Sequence, residues 1–381
     1  MKVLVVSSYS PSLVNFRGHF LRELVRRGHT VYASAPSSSN DSQVTHQLQS
    51  LGVRYLSYKA NRSAINIFSD FRLLLSLYKQ IDSIKPTHVC AYTLKPVIYT
   101  GIILLILNNL SLLSRPISFY PLITGLGYCF TTGNALFKRF VLRQIIKFLY
   151  FISFKSASTI IFQNPDDLSL FDHLGLYSDS VSTACVNGSG VDLSVFQPQP
   201  MPSKVSFLLL SRLIADKGVN EYFEAAKLVK AKYPDVKFRL AGMFDSNHSS
   251  ISPDVLESYI NSGSIEYLGE SDSVSQLLKE CSVFVFPSYR EGTPRSVLEA
   301  LATARPVICT DVPGCRQTVI HGVNGLLVPP RNATELAEAI LKMLDLPPFT
   351  LQMMGLKSRL LCEEYFDVTK VTSSLISIMG L

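Results

Sequence analysis

The chain predicts two doubly wound α/β domains facing a cleft, each a parallel sheet covered by helices on both sides. Three observations carry that expectation. At 381 residues the chain exceeds what one hydrophobic core usually organises. Short apolar runs alternate with helix-period segments throughout, the pattern of parallel strands joined by crossover helices. The stretch Gln197-Pro-Gln-Pro-Met-Pro-Ser203 then sets three prolines where neither element continues, which marks a linker. Residues 1–197 are read as one domain, 203–350 as a second, and 351–381 as a C-terminal helix packing back toward the first.

In chain order, Val3–Ser7 is an apolar strand, followed by a loop and a helical segment from Phe20 that closes on Gly28. Residues 29–34 read as a second strand. Val53–Leu56, Thr87–Tyr92, Ile117–Thr124 and Thr159–Gln163 follow as strands with helices between. After the linker the alternation repeats: strand Val205–Leu210, helix Val219–Tyr233, strand Val236–Ala241, helix Ser273–Cys281, strand Val283–Pro287, helix Arg295–Ala304 and strand Pro306–Thr310. Helices over Thr334–Leu344 and from about Leu351 finish the chain.

Composition excludes several classes. With 47% apolar and 17% charged residues the chain is not disordered. No apolar run reaches the ~18–20 residues of a spanning helix, and Met1-Lys-Val-Leu-Val-Val runs into a strand without a signal-peptide pattern. Seven cysteines without a C-x-x-C pair read as reduced thiols of a cytosolic protein. Charge is uneven: residues 1–200 hold 18 Lys and Arg against 9 Asp and Glu, and the remainder 18 against 20. No carboxylate occurs between Asp82 and Asp166, a stretch with eight Lys or Arg. Residues Leu136–Lys155 read as a greasy helix with Arg139, Arg143 and Lys147 on one stripe. It suits an anionic leaflet, and equally the wet side of a core helix.

The chemistry concentrates after the linker. Arg212 follows the first strand of the second domain, and Lys217-Gly218 begins the next helix. A diphosphate wants such cations and a helix N-terminus at the carboxyl end of the sheet. Two permanent cations can neutralise it without a metal, and the chain has no Asp-x-Asp triplet to hold one. Glu291-Gly292-Thr293-Pro294 leaves strand Val283–Pro287, with Pro294 suited to a first helical turn, and Glu299 lies one to two turns on. Taken singly, these residues also fit solvated charges on helix entrances. Their joint placement on strand-to-helix junctions favours a ligand.

These residues resemble the retaining glycosyltransferases of GT-B fold, glycosyltransferase family 4, over nearly the whole chain. The likeness rests on Arg212…Lys217-Gly218, the E-x7-E spacing of Glu291 and Glu299, residues 186–196, Thr310-Asp-Val-Pro-Gly-Cys315 and Gly322–Pro329. It implies two Rossmann-like domains, a UDP-sugar donor substrate, no cofactor, no metal and no nucleic-acid partner. By the resemblance Arg212 and Lys217 bind the donor diphosphate, Glu299 the ribose and Glu291 the transferred sugar, with Gly292, Thr293 and Pro294 nearby. Arg212, Lys217 and Glu291 form the catalytic set. Gly242 and Leu268 line the base, and Gly18 neighbours the phosphate.

Two positions depart from the family. The loop after the first strand has a single glycine, Gly18, where many members carry a pair. Thr124 stands where many carry a histidine, so no histidine base is assigned. Ala91–Pro96, the Thr124-Gly-Leu-Gly loop and Phe16-Arg17-Gly18 are similar to a narrower subgroup, the N-acetylgalactosaminyltransferases acting on undecaprenyl-diphosphate-linked sugars. That likeness implies an acceptor site including Arg17, Tyr92, Lys95 and Thr124. It also implies a peripheral position on the cytoplasmic face of the bacterial plasma membrane and a role in O-antigen, capsule or other glycan assembly.

A UDP-N-acetylsugar epimerase or hydrolase of the same fold, and a non-catalytic membrane-docked subunit, remain alternatives. A nicotinamide dehydrogenase fits the fold class, but Leu193 stands where a third glycine of G-x-G-x-x-G belongs after Gly188-Ser-Gly190.

Overall fold

The computed structural model describes residues 1–38, 41–58, 67–109, 116–125, 137–245, 249–271 and 273–381, the side chains of 67–68 and 137–139 excepted. The chain divides into two compact units, Met1–Ser189 with Thr369–Leu381, and Gly190–Val368. The Gln197–Ser203 stretch therefore lies within the second unit.

The first unit opens with β1 (Lys2–Val6), α1 (Ser10–Asn15), α2 (Gly18–Arg26) and β2 (Thr30–Pro36). Then come α3 (Asp41–Ser50), β3 (Arg54–Tyr58), α4 (Ile67–Ile84), β4 (His88–Tyr92) and α5 (Leu94–Asn109). β5 (Ser118–Ile123), α6 (Phe137–Phe154), β6 (Thr159–Phe162), α7 (Pro165–His173) and β7 (Ser182–Cys185) complete its run. Among the described residues the strands form one parallel sheet in the order β3-β2-β1-β4-β5-β6-β7. Successive side chains of a strand point to opposite faces, so Leu4 and Val6 join one core with α4, α5 and α6, and Val3 and Val5 join another with α2 and α3. Because both faces are covered, the central strands read as unbroken apolar runs.

The second unit runs β8 (Ser206–Leu210), α8 (Val219–Lys230), β9 (Lys237–Ala241), α9 (Pro253–Asn261), β10 (Glu266–Tyr267), α10 (Val274–Lys279) and β11 (Val283–Phe286). It continues with α11 (Arg295–Ala302), β12 (Val307–Thr310), β13 (Gly325–Val328), α12 (Ala333–Leu344) and α13 (Pro348–Leu361). Its parallel sheet has the order β10-β9-β8-β11-β12-β13 among the described residues. A π turn, Cys362–Phe366, precedes α14 (Val368–Ile378), whose Leu375 and Ile376 pack into the first unit's core beside α2. Tyr120 donates its hydroxyl to Met379 O at 3.1 Å on that face.

Several elements differ from expectation for local reasons. The last helix is two: Asp367, with extended ψ of 125°, breaks it between the π turn and α14. β7 is polar and mostly exposed, and β10 has two residues, so neither offers an apolar run. β13 and α9 were also not expected. The helix expected at Leu136–Lys155 spans Phe137–Phe154. No helix among the described residues is long and apolar enough to cross a membrane.

Candidate active site

Both sheets have the strand order in which neighbouring strands lead away to opposite sides: β1 beside β4, and β8 beside β11. Open α/β sheets bind ligands at such a switch point, beyond the strands' carboxyl ends. Arg212, Lys217 and Glu291 follow β8 and β11 there, Glu299 lies in the helix beyond, and Gly242 and Leu268 stand at the ends of the neighbouring β9 and β10.

After β8, Arg212 leads into a 3-10 turn, Ala215–Lys217, that ends on Gly218. Gly218 has φ 72°, and a Cβ on it would stand 2.1 Å from Pro287 O just past β11. Only glycine lets this turn seat against that loop. The Tyr289 N–H donates to Asp216 O at 2.9 Å and locks the two loops together. Lys217 Nζ consequently forms an ion pair with Glu291 Oε1 and lies 5.6 Å from the centre of the Phe286 ring. Both side chains are largely shielded, 19% and 13% exposed, so their charges act in a medium less polar than water.

Glu291 is held from several directions. The fully buried Ser288 donates its hydroxyl to Glu291 Oε1 at 2.6 Å. The Glu291 N–H donates to Pro313 O at 3.1 Å. Gly314, at φ 81°, lets the β12 loop approach so closely that a Cβ would stand 2.4 Å from Glu291 O. Thr310, buried at the end of β12, donates its hydroxyl to Ser288 O. Three loops, after β8, β11 and β12, thus converge on one carboxylate.

Gly292 is buried and Thr293 half-buried, with the Thr293 hydroxyl donating to Gly292 O at 2.8 Å. Pro294 occupies the N-cap of α11, so the helix starts one residue later than a Pro in its first turn implies. Glu299 sits in the second turn, buried, accepting from Arg295 Nε at 2.8 Å. Burial pushes its carboxyl above the ordinary carboxylate range, with Arg295 acting against that rise. Arg212 is exposed and pairs with Asp245, in the loop beyond β9. Gly242 donates its N–H to Gly269 O at 2.9 Å, and Leu268 to Leu240 O at 2.8 Å, so both lie at the carboxyl ends of β9 and β10.

The structure therefore brings Lys217 and Glu291 into contact, and holds Arg212 on Asp245 and Glu299 on Arg295. Sequence reasoning missed Ser288, Thr310, Asp245 and Arg295. Position alone signals Ser288, which lies two residues beyond β11 and three before Glu291. Among the described residues no group of three or more His, Cys, Asp or Glu could hold a metal ion.

In the first unit the structure brings Arg17 and Tyr92 together at the β1–β4 switch point, while Lys95 lies on α5 and Thr124 past β5. Gly18 begins α2 and Arg17 caps it, buried, with its guanidinium 5.2 Å from the centre of the Tyr92 ring. Tyr92 ends β4, and its buried hydroxyl lies 2.9 Å from Ser12 Oγ. Lys95 pairs with Asp70 at 2.8 Å, and Thr124 is half-buried just past β5. Thr93, between Tyr92 and α5, has φ 70°, a left-handed backbone that a β-branched residue adopts only under constraint. Its hydroxyl donates to Ser8 Oγ at 2.8 Å, which ties β4 to the β1 loop. Nothing in the sequence signals that conformation.

Residues 195–358 match the family model described as glycosyl transferases group 1. The chain is 28% identical over 363 residues to an N,N'-diacetylbacillosaminyl-diphospho-undecaprenol alpha-1,3-N-acetylgalactosaminyltransferase of Campylobacter jejuni, covering 91% of this chain and 90% of that protein. It is 28% identical over 295 residues to the capsular polysaccharide biosynthesis glycosyltransferase CapM of Staphylococcus aureus, covering 74% and 73%. Among solved structures, sucrose-phosphate synthase of Thermosynechococcus elongatus superposes with TM-score 0.79 at 17% identity, covering 99% of this chain and 98% of that one. Anabaena Alr3699/HepE in complex with UDP-glucose superposes with TM-score 0.76 at 16% identity, covering 100% and 99%. The paired Rossmann-like sheets give the chain the GT-B fold, residues 195–358 of its second unit form a glycosyl transferases group 1 domain, and over nine-tenths of its length the chain is similar to a glycosyltransferase.

Proposed function

We propose that the protein transfers a sugar, with N-acetylgalactosamine the first candidate, from a UDP-sugar to a saccharide carried on a polyprenyl diphosphate, with retention of anomeric configuration and without a metal. The observation that carries the reading is the Lys217–Glu291 pair at the second unit's switch point. The donor class is supported by the family and by the UDP-glucose complex of the structural relative. The acceptor class is supported by the Campylobacter relative, named for a diphospho-undecaprenol-linked substrate.

On this reading the donor diphosphate meets Lys217 and Arg212, each of which it must win from a carboxylate, Glu291 or Asp245. Breaking the glycosidic bond moves an electron pair onto the diphosphate oxygen, and the two cations stabilise that charge more than they stabilise bound donor. Glu291, freed toward the sugar, orients its hydroxyls. Glu299 accepts from the ribose. Arg17, Tyr92, Lys95 and Thr124 serve the acceptor, whose hydroxyl proton passes to the departing diphosphate oxygen on the same face of the sugar. The basic first unit faces the anionic inner leaflet of the plasma membrane, where a lipid-linked acceptor resides. Surface-polysaccharide or glycan assembly is the setting.

The test is to incubate purified protein with single labelled UDP-sugars and a polyprenyl-diphosphate-linked saccharide. Label entering the lipid fraction through a new α-glycosidic bond, by proton NMR, is the expected outcome. Free sugar or an epimerised nucleotide sugar, with no lipid product, would instead identify the epimerase or hydrolase alternative.

A further inference from the structure

Most exposed large apolar side chains of the first unit lie on one side of its sheet. α4, α5 and α6 all bury one flank in the core that holds Leu4 and Val6, so their opposite flanks look outward from the same sheet face. On α4, Leu73, Leu77 and Ile81 are buried, and Phe71, Leu75 and Tyr78 form an exposed stripe one and two turns apart. On α6, Ile146 and Tyr150 are buried, and Phe140, Ile145 and Phe148 are exposed, Phe148 by 63%. α5 packs against both neighbours and offers the exposed Ile106 between them. Soluble surfaces rarely gather so much aromatic and aliphatic area without a use.

Charge indicates what covers this face. α6 carries four Lys or Arg and no carboxylate, and Arg143 is exposed beside its apolar stripe. On α4, Arg72 and Lys79 are exposed next to Phe71 and Tyr78. Asp70 is taken by Lys95, which leaves Asp82, at the far end of α4, as the exposed carboxylate of the three helices. Apolar stripes flanked by cations match an anionic bilayer, where rings enter the acyl boundary and cations meet headgroup phosphates.

We infer that the outer face of α4, α5 and α6, and not α6 alone, docks the protein on an anionic phospholipid bilayer. This deepens the proposed membrane association and rests on it. The docking helices follow β3, β4 and β5, and Tyr92, Thr93 and Thr124 stand at the ends of the last two strands. A lipid-anchored acceptor and the candidate acceptor residues are thereby served by the same secondary-structure units.

The chain contains no tryptophan, so a single introduced one reports its own surroundings. Phe71→Trp on α4 and Phe148→Trp on α6 are conservative exchanges at exposed sites, and Val255→Trp on α9 is the control. With vesicles of phosphatidylglycerol and phosphatidylcholine, emission at positions 71 and 148 is expected to shift to the blue and to be quenched by brominated acyl chains, and that at 255 to stay unchanged. The pair Phe71→Ser with Leu75→Ser should weaken vesicle partitioning at least ~10-fold, yet leave transfer to a short-chain, water-soluble polyprenyl-diphosphate acceptor intact. A shift at 148 without one at 71 overturns the three-helix face. So does binding to pure phosphatidylcholine equal to that with phosphatidylglycerol, or a dimer in solution that the serine pair dissociates. Failure of the wild-type protein to glycosylate the soluble acceptor would count against the proposed function and leave the vesicle result readable.

Discussion

Ser288, fully buried behind the carboxyl end of β11, donates its hydroxyl to the same Glu291 oxygen, Oε1, that Lys217 grips. A serine hydroxyl has one proton to give, and at 2.6 Å it goes to the carboxylate in preference to Asp216 O at 3.2 Å. Ser288→Ala removes a charge-assisted bond worth about 1.5–3 kcal/mol. We expect turnover to fall ~10-fold or more with little change in donor KM, because Glu291 keeps its cation and loses its orientation. Partial recovery with Ser288→Thr would separate this positioning role from a packing defect.

Lys217→Ala and Glu291→Ala should each lower turnover at least ~100-fold, about 2.7 kcal/mol of barrier. Either change leaves the other charge without its partner in a shielded site, so melting temperatures should be recorded beside the rates. Near-normal turnover in both variants would remove these residues from the chemistry.

Gly218 and Gly314 allow the loops to close on Glu291. Alanine at either meets a backbone carbonyl and must hold a left-handed φ. The cost is about 1–3 kcal/mol, and we expect a lower melting temperature together with a loss of activity. By contrast Gly263→Ala, where φ is also positive but no atom lies within 4 Å, should cost stability and spare turnover.

Glu299 sets a pH limb. Burial raises its carboxyl, so on acidification it gains a proton at a higher pH than an ordinary glutamate does. On the proposed ribose role, donor KM should rise as pH falls through that raised value and stay flat above it. Glu299→Gln should have a higher KM throughout and lack this acid limb. An unchanged acid limb in the variant would assign it to another group.

Much of this was legible in the sequence because it follows from burial. Central strands covered on both faces must be apolar throughout, and β1, β4, β8 and β11 were readable for that reason. That Lys217 and Glu291 fall at strand-to-helix junctions was readable because the apolar runs before them mark where β8 and β11 end. Edge strands β7 and β10 were not, since they lack the burial that writes an apolar pattern. The partners Ser288, Asp245 and Arg295 were hidden too: a serine or aspartate carries no label for which neighbour it will meet once loops fold together. Thr93 is the extreme case, because its left-handed backbone is imposed by surrounding structure against its own preference.

On the proposed function, side-chain cations, Lys217 foremost, take the nucleotide's diphosphate without a metal. Calorimetric titration of UDP into wild type and Lys217→Ala, each with EDTA, tests it most directly. Wild type should bind UDP undiminished by EDTA, and the variant should bind at least ~10-fold more weakly, about 1.4 kcal/mol. Binding that vanishes in EDTA, returns with manganese and ignores the loss of Lys217 would contradict it.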